Sequence, residues 1–245
     1  MHYAANSYYQ LKQYDEAIEQ YSALADVQNN PYMEEACMRV AELSYDKQEY
    51  RTAHYYFQRM YDVASNTQMR QTALLGMLRC SHHVQDTIAT IDRADKLLEI
   101  EALDENIRNE ALYCRANARY LLEEFGLAVV DYNILAQEVR TVWGAEAKYK
   151  VANCYYHLGA IDMAEKEIMS FTGMQTSHQY WLAKSLILLA DINVDKSDLF
   201  QAKQYLLALQ NNYRQQDDIS TIIADKLVTI QQLEMQQNTD TTQTE

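Results

Sequence analysis

Apolar positions along this chain recur at helical spacing inside a longer period. An alanine stands at Ala17, Ala53, Ala128, Ala164 and Ala202, with Thr90 in its place once. The intervals are 36, 37, 38, 36 and 38 residues. Four residues later comes a larger apolar side chain (Tyr21, Phe57, Tyr132, Ile168, Leu206), replaced by Ala94 in the third copy. Three further on come Leu24, Met60, Leu97, Leu135, Phe171 and Leu209. Those offsets put the three positions on one helix face. Twelve residues before each alanine is another small residue: Ala5, Ala41, Ala116, Ala152 and Ala190, with Leu78 in the third copy. Small residues on facing helices let the axes close up, and bulky ones a turn away fill the flanks. Each period therefore predicts a pair of helices. Recurrence at 20–50 residues predicts a stacked array in which each unit contacts its neighbours.

The expected helices are 2–12, 15–28, 31–46, 49–64, 68–83, 87–101, 105–123, 126–139, 144–158, 161–171, 177–195 and 199–213, with a last one at 218–236. They group into repeats 2–29, 30–66, 67–103, 104–140, 141–175 and 176–214. Asn30 suits an N-cap and Pro31 a first helical position. Asp15, Asp86, Asp162 and Asp198 mark starts of second helices, and Asp217 or Asp218 caps the last. That last helix carries Ile219, Ile222, Ile223, Leu227, Ile230 and Leu233 on one face and Thr, Gln, Asp and Lys on the other. This is the pattern of a capping helix, expected over 217–236. The segment 238–245 has no apolar residue and is expected to be disordered. The first repeat aligns as though it lacked about three residues, so the chain reads as the C-terminal portion of a longer array.

Composition supports this reading. One proline and five glycines in 245 residues cannot supply the hairpins of a sheet protein. The expected class is all-α: a right-handed superhelical solenoid of about six helix-turn-helix repeats plus a C-terminal capping helix. A net charge of −14 disfavours nucleic acid, which needs clustered Lys and Arg. No stretch is long and apolar enough for a transmembrane helix, so no direct membrane insertion is expected. Cys37, Cys80, Cys114 and Cys154 fall one to a repeat, form no CxxC pair and read as buried structural thiols.

These residues resemble tetratricopeptide (TPR) repeats. The small residue of the first helix, the aromatic–x–x–Ala of the second and the aromatic after it are met by Ala5, Tyr14-Asp15-Glu16-Ala17 and Tyr21. They are met again by Ala41, Tyr50-Arg51-Thr52-Ala53 and Phe57, and by Ala116, Phe125-Gly126-Leu127-Ala128 and Tyr132. Segments 4–11 and 151–158 are near copies. The period is longer than the family's usual one, the third repeat is degenerate, and the junction proline survives only as Pro31. The text of 180–206 is similar to envelope-associated repeat proteins of Bacteroides-type bacteria, to repeats of outer-membrane-assembly lipoproteins and to the coordinator of the Tol–Pal system. That likeness implies a periplasmic or cell-envelope location, with the cytoplasm as the alternative.

The resemblance further implies that the first helices line a concave groove. Carried onto this chain, the groove positions are Met38, Leu75, Tyr113, Tyr149 and Ile187; then Asn6, Glu42, Arg79, Asn117, Asn153 and Asp191; then Tyr9, Tyr45, His82, Tyr120, Tyr156 and Val194. Tyr offers contact area at little entropic cost, and Asn both donates and accepts. Tyr113, Asn117, Tyr120, Tyr149, Asn153 and Tyr156 form the densest group. Glu110 and Glu146 beside them favour a neutral or basic segment. A carboxylate clamp needs several groove cations; Arg79 and Lys184 stand against Glu42, Asp46, Glu146, Asp191 and Asp195, so that use is disfavoured. Adjacent His82 and His83 point about 100° apart on a helix and cannot chelate one metal. Glu123-Glu124 and Asp217-Asp218 sit at helix ends, where capping and solvation account for them. Trp143 and Trp181 read as packing anchors. No phosphate loop, nucleophile elbow or cofactor motif occurs. The expectation is a non-enzymatic interaction module with no cofactor or metal. The alternative is a structural spacer whose partner sites lie in other repeats. Oligomeric state is not legible.

Overall fold

The computed structural model describes residues 1–243, with side chains through residue 237. Among these the chain forms thirteen α-helices and no strand: α1 (His2–Gln10), α2 (Tyr14–Ala25), α3 (Met33–Asp46), α4 (Tyr50–Val63), α5 (Thr67–His83), α6 (Thr87–Leu98), α7 (Glu105–Leu121), α8 (Phe125–Leu135), α9 (Val142–His157), α10 (Ile161–Thr172), α11 (Gln179–Asp195), α12 (Leu199–Asn212) and α13 (Ile219–Gln243). Two compact units result, Met1–Glu123 and Glu124–Glu245. In the first, each helix packs on the next, and α5 also packs on α3 and α7. In the second, consecutive helices pack likewise and α11 also packs on α9 and α13. Each unit is thus built of successive helix pairs.

The alanine period is the core of both units. Ala17, Ala53, Ala128, Ala164 and Ala202 are wholly buried, as are Ala5, Ala41, Ala116 and Ala152 on the partner helices. Tyr21, Tyr132, Ile168 and Leu206, one turn on, are also wholly buried. α13 buries Ile219, Ile223 and Ile230 against α11 and α12, and ion pairs from Lys226 to Asp191 and from Lys203 to Glu234 tie down its flank.

Every turn from a first to a second helix has one design. Lys12, Gln48, Gln85, Glu123, Gly159 and Ser197 all take positive φ, between 56° and 71°, each five residues before the repeat's alanine or its Thr90 substitute. At Gln48, its N–H donates to the Tyr45 carbonyl and the Glu49 N–H donates to that of Ser44, both at 2.8 Å. The same two bonds recur at Lys12, Gln85, Gly159 and Ser197. This is the Schellman arrangement, which satisfies the orphan carbonyls of a helix end. The residue after the left-handed one serves directly as N-cap of the next helix. Asp86 and Asp198 do so with side chains that accept from Ala89 and Gln201.

Several local expectations are corrected. Asn30 does not cap α3. Its carboxamide bridges the Leu24 carbonyl and the Tyr32 N–H in an Asx turn, and Pro31 lies in that turn, two residues before α3 begins. Asp15 and Asp162 do mark the starts of α2 and α10, from the first turn, where the helix dipole favours a carboxylate. α8 stops at Leu135, four residues short of expectation, because 136–141 turn back on themselves. α13 runs beyond residue 236. It continues to Gln243, through most of the segment 238–245 expected to be disordered, and residues 244–245 lie outside those described.

The third helix pair departs from the others in a compensated way. Thr90, buried where the other repeats have alanine, donates to the Asp86 carbonyl at 2.7 Å and lies 3.1 Å from Ser81 Oγ. Ser81 in turn donates to the Leu78 carbonyl. Gly76 on α5 lies under the Phe57 ring; a Cβ there would stand 2.5 Å from it.

Candidate functional site

The first unit presents a face built by α3, α5 and α7, with the end of α1 beside it. Within one helix the expected groove positions lie three or four residues apart, so the α-helical repeat delivers them to one side. Met38, Glu42 and Tyr45 on α3, His82 on α5 and Tyr113 on α7 are half-buried, Arg79 is exposed, and Leu75 is buried. A cleft of about 390 Å³ opens between α3 and α5, lined also by Tyr9 of α1 and Phe57 of α4 and, on the two helices, by Tyr45, Leu75 and Gly76 among others.

These side chains hold one another in place. The Arg39 guanidinium sits 4.7 Å over the Tyr9 ring and reaches Glu42 at 3.3 Å. Arg79 donates two bonds to the Glu110 carboxylate, at 2.5 and 2.7 Å. That fork holds the guanidinium pKa above its ordinary value. The Tyr45 hydroxyl lies 2.8 Å from His83 Nε2, and burial pushes the Tyr45 pKa up. His83 stacks flat on Tyr50, with centroids 4.5 Å apart, while His82 meets Tyr113 edge-on. Asn6 accepts the proton of the buried Tyr21 hydroxyl at 2.8 Å, so its carboxamide is turned to the repeat interior. Asn117 and Tyr120 are half-buried on α7.

The second unit carries its own set on α9 and α11. Tyr149 stacks on Trp181 at 5.7 Å, and the Lys184 ammonium lies 6.0 Å from the Tyr149 ring centre. The Tyr156 hydroxyl donates to Asp195 at 2.6 Å, and with burial this pushes its pKa up to about 12. Asn153 and Ile187 are buried, Val194 is half-buried and Asp191 is paired with Lys226. The six residues read from sequence as the densest cluster thus divide, three to each unit. Trp181, expected as a packing anchor, also builds this aromatic face.

Sequence reading missed Arg39, and missed His83 as the residue that fastens Tyr45. A sequence signal exists for the partner of Arg79 and for other ion-paired residues, though not for Arg39 or His83. Ion pairs between successive repeats, or between the last repeat and α13, recur at separations just under one period: Lys47–Asp15, Arg59–Asp26, Arg79–Glu110, Lys196–Glu165 and Lys203–Glu234. Opposite charges 31–33 residues apart would have found them.

Among the described residues, no group of three or more His, Cys, Asp or Glu is placed to hold a metal ion, and no helix is long and apolar enough to cross a membrane. The four cysteines are buried; burial pushes the thiols of Cys80, Cys114 and Cys154 up to about 12, which leaves them protonated and unreactive at neutral pH.

No protein-family model matches this chain, and no curated protein does. Solved structures are similar to it. A tetratricopeptide repeat protein from Parabacteroides merdae is 14% identical over 90% of this chain and 95% of its own, with a TM-score of 0.47. The TPR domain of P58(IPK) is 14% identical over 95% of this chain and 64% of its own, with a TM-score of 0.41.

Proposed function

We propose that this chain is a non-enzymatic interaction scaffold that takes up a peptide segment or helix of another protein along the faces of its first helices. The supporting observation is the α3–α5–α7 face. It is aromatic, already ordered by its own hydrogen bonds and ion pairs, and opens into a cleft instead of closing over its core. Pre-ordered side chains lower the entropic cost of binding. The preferred segment is neutral or basic, given the charge of −14. The chain does not engage nucleic acid, and its working location is the cell envelope. Expression of the tagged natural gene followed by cell fractionation tests the location; recovery in the cytoplasm would reverse it.

Site-specific photo-crosslinking tests the binding face. A photoreactive residue replacing Met38 on α3 should capture a distinct protein in the native cell. One replacing Tyr55, exposed on α4, should not. Capture from Tyr55 alone would move the binding surface to the second helices, and capture from neither would favour the spacer reading.

A further inference from the structure

The face just described carries one feature that the other repeats lack. At the position two residues before the small residue of each first helix stand Tyr3, Arg39, Cys114, Lys150 and Leu188; only α5 has glycine there, Gly76. Without a side chain at that point, Phe57 swings against the α5 backbone and lines the cleft. Tyr9 and Tyr45 line it as well. Their hydroxyls are already engaged, by Arg39 at 3.4 Å and by His83. At about 390 Å³ the cleft lies within the range of pockets that seat a ligand group, ~300–1,000 Å³.

The charges at its rim are unequal. Glu42 is paired with Arg39, and Arg79 is neutralised by its two bonds to Glu110. Asp46, exposed at the end of α3 and part of the cleft lining, has no ion-pair or hydrogen-bond partner among the described residues. The cleft therefore combines apolar and aromatic side chains (Leu43, Phe57, Leu75, Tyr9 and Tyr45) with a polar rim on which Asp46 is the one uncompensated charge. We infer that it seats a bulky apolar side chain of the partner segment, with a cationic residue of that segment next to it facing Asp46. The inference rests on the groove reading above and adds to it the chemistry of the anchoring residues.

Selection from a random displayed nonapeptide library on the full chain tests it, with Asp46→Lys and Thr72→Trp as comparison proteins of verified melting temperature. Thr72 lines the cleft and is half-buried. The expected pool is enriched in Leu, Met or Phe beside Lys or Arg. Synthetic peptides from it should bind each comparison protein about tenfold or more weakly than wild type, with affinity falling as salt rises. Peptides that bind both variants as well as wild type would overturn the socket while leaving a groove elsewhere intact. Enrichment of acidic peptides would overturn the role of Asp46. No enrichment on a folded wild-type chain would overturn socket and groove reading together. Should Thr72→Trp not fold, Asp46→Lys, a change of one exposed side chain, decides alone.

Discussion

The second and third helix pairs, α3–α4 and α5–α6, solve one packing problem with different residues. In α3–α4 the axes approach over Ala41 and Ala53, and Phe57 fills the flank. In α5–α6 the same positions hold Leu78, Thr90 and Ala94, all buried. Volume has moved from the flank to the crossing point: two contact positions gain bulk and the flanking one loses a ring. The hydroxyl that Thr90 brings inside is bonded to the Asp86 carbonyl and lies beside Ser81. Across α3–α4, Ser44 stands where α5 has Ser81, but its hydroxyl is buried opposite Ala53 and finds no partner. At this crossing the copy that looks degenerate in sequence is the one whose buried hydroxyls are satisfied, although Arg93 Nε on α6 finds no partner.

If that trade is real, reversing half of it should do the largest damage. Leu78→Ala should destabilise by about 2–5 kcal/mol through lost burial and the cavity left behind. Ala94→Phe alone should overpack by about 1–3 kcal/mol. Together they restore two of the three residues of α3–α4, so the double variant should be more stable than the sum of the singles, by an interaction energy of about 1–3 kcal/mol in a thermodynamic cycle from urea melts. Strict additivity would mean the two side chains do not share one space.

The hydroxyls give a smaller contrast, of opposite sign. Thr90→Val keeps the shape and removes the donor to Asp86, and should cost about 1 kcal/mol. Ser44→Ala deletes a buried hydroxyl with no partner and should be neutral or stabilising by up to about 1 kcal/mol. Equal losses at the two sites would show that Ser44 has a partner, such as a bound water.

The fold was legible because its signal is repeated. Six noisy copies of alanine spacing fixed the register, and the observed helix ends fall within about four residues of expectation for the first twelve. Two kinds of fact were hidden. The left-handed turn residue is glycine only at Gly159; at Lys12, Gln48, Gln85, Glu123 and Ser197 the backbone bonds impose a conformation that those side chains do not announce. The expected groove positions could be placed on their helices from sequence, but their wiring could not. Stripe positions named Tyr45 and Arg79, but which partner each takes depends on the offset between neighbouring helices, as His83 and Glu110 show.

Those turns provide the next contrast. Gly159 has φ of 71° and open space around its Cβ position, so Gly159→Ala suffers only backbone strain, expected at about 1 kcal/mol. Gln85→Gly, in the corresponding turn between α5 and α6, relieves that strain and should stabilise by a few tenths to about 1 kcal/mol, less the entropy glycine adds to the unfolded chain. Opposite shifts in melting temperature are the expected result. Two losses would mean that the Gln85 side chain contributes contacts outweighing its backbone cost.

The smallest contrast is in pH response, and each pair supplies one histidine. His54 on α4 is held below its ordinary value of 6.5 by burial, with Arg93 adding to the shift and Asp86 opposing it. His82 on α5 is lowered by burial, then by His83, with Glu110 opposing. A depressed pKa means that the unfolded chain takes up the proton first. Both imidazoles therefore contribute stability that is complete above pH 6.5 and is lost as the pH falls through that value toward the folded pKa. The melting temperature should drop between about pH 8 and about pH 5.5. The drop should be smaller in His54→Gln and His82→Asn, and smallest in the double variant. The depressed carboxyl of Asp92, held down first by Lys96, acts in a separate and more acid window: its contribution is lost only as the pH falls below its ordinary value of 3.8. An undiminished drop in the double variant over the higher window would show that neither imidazole is held neutral by the core, and that burial at the two crossings is looser than the packing of α3–α6 implies.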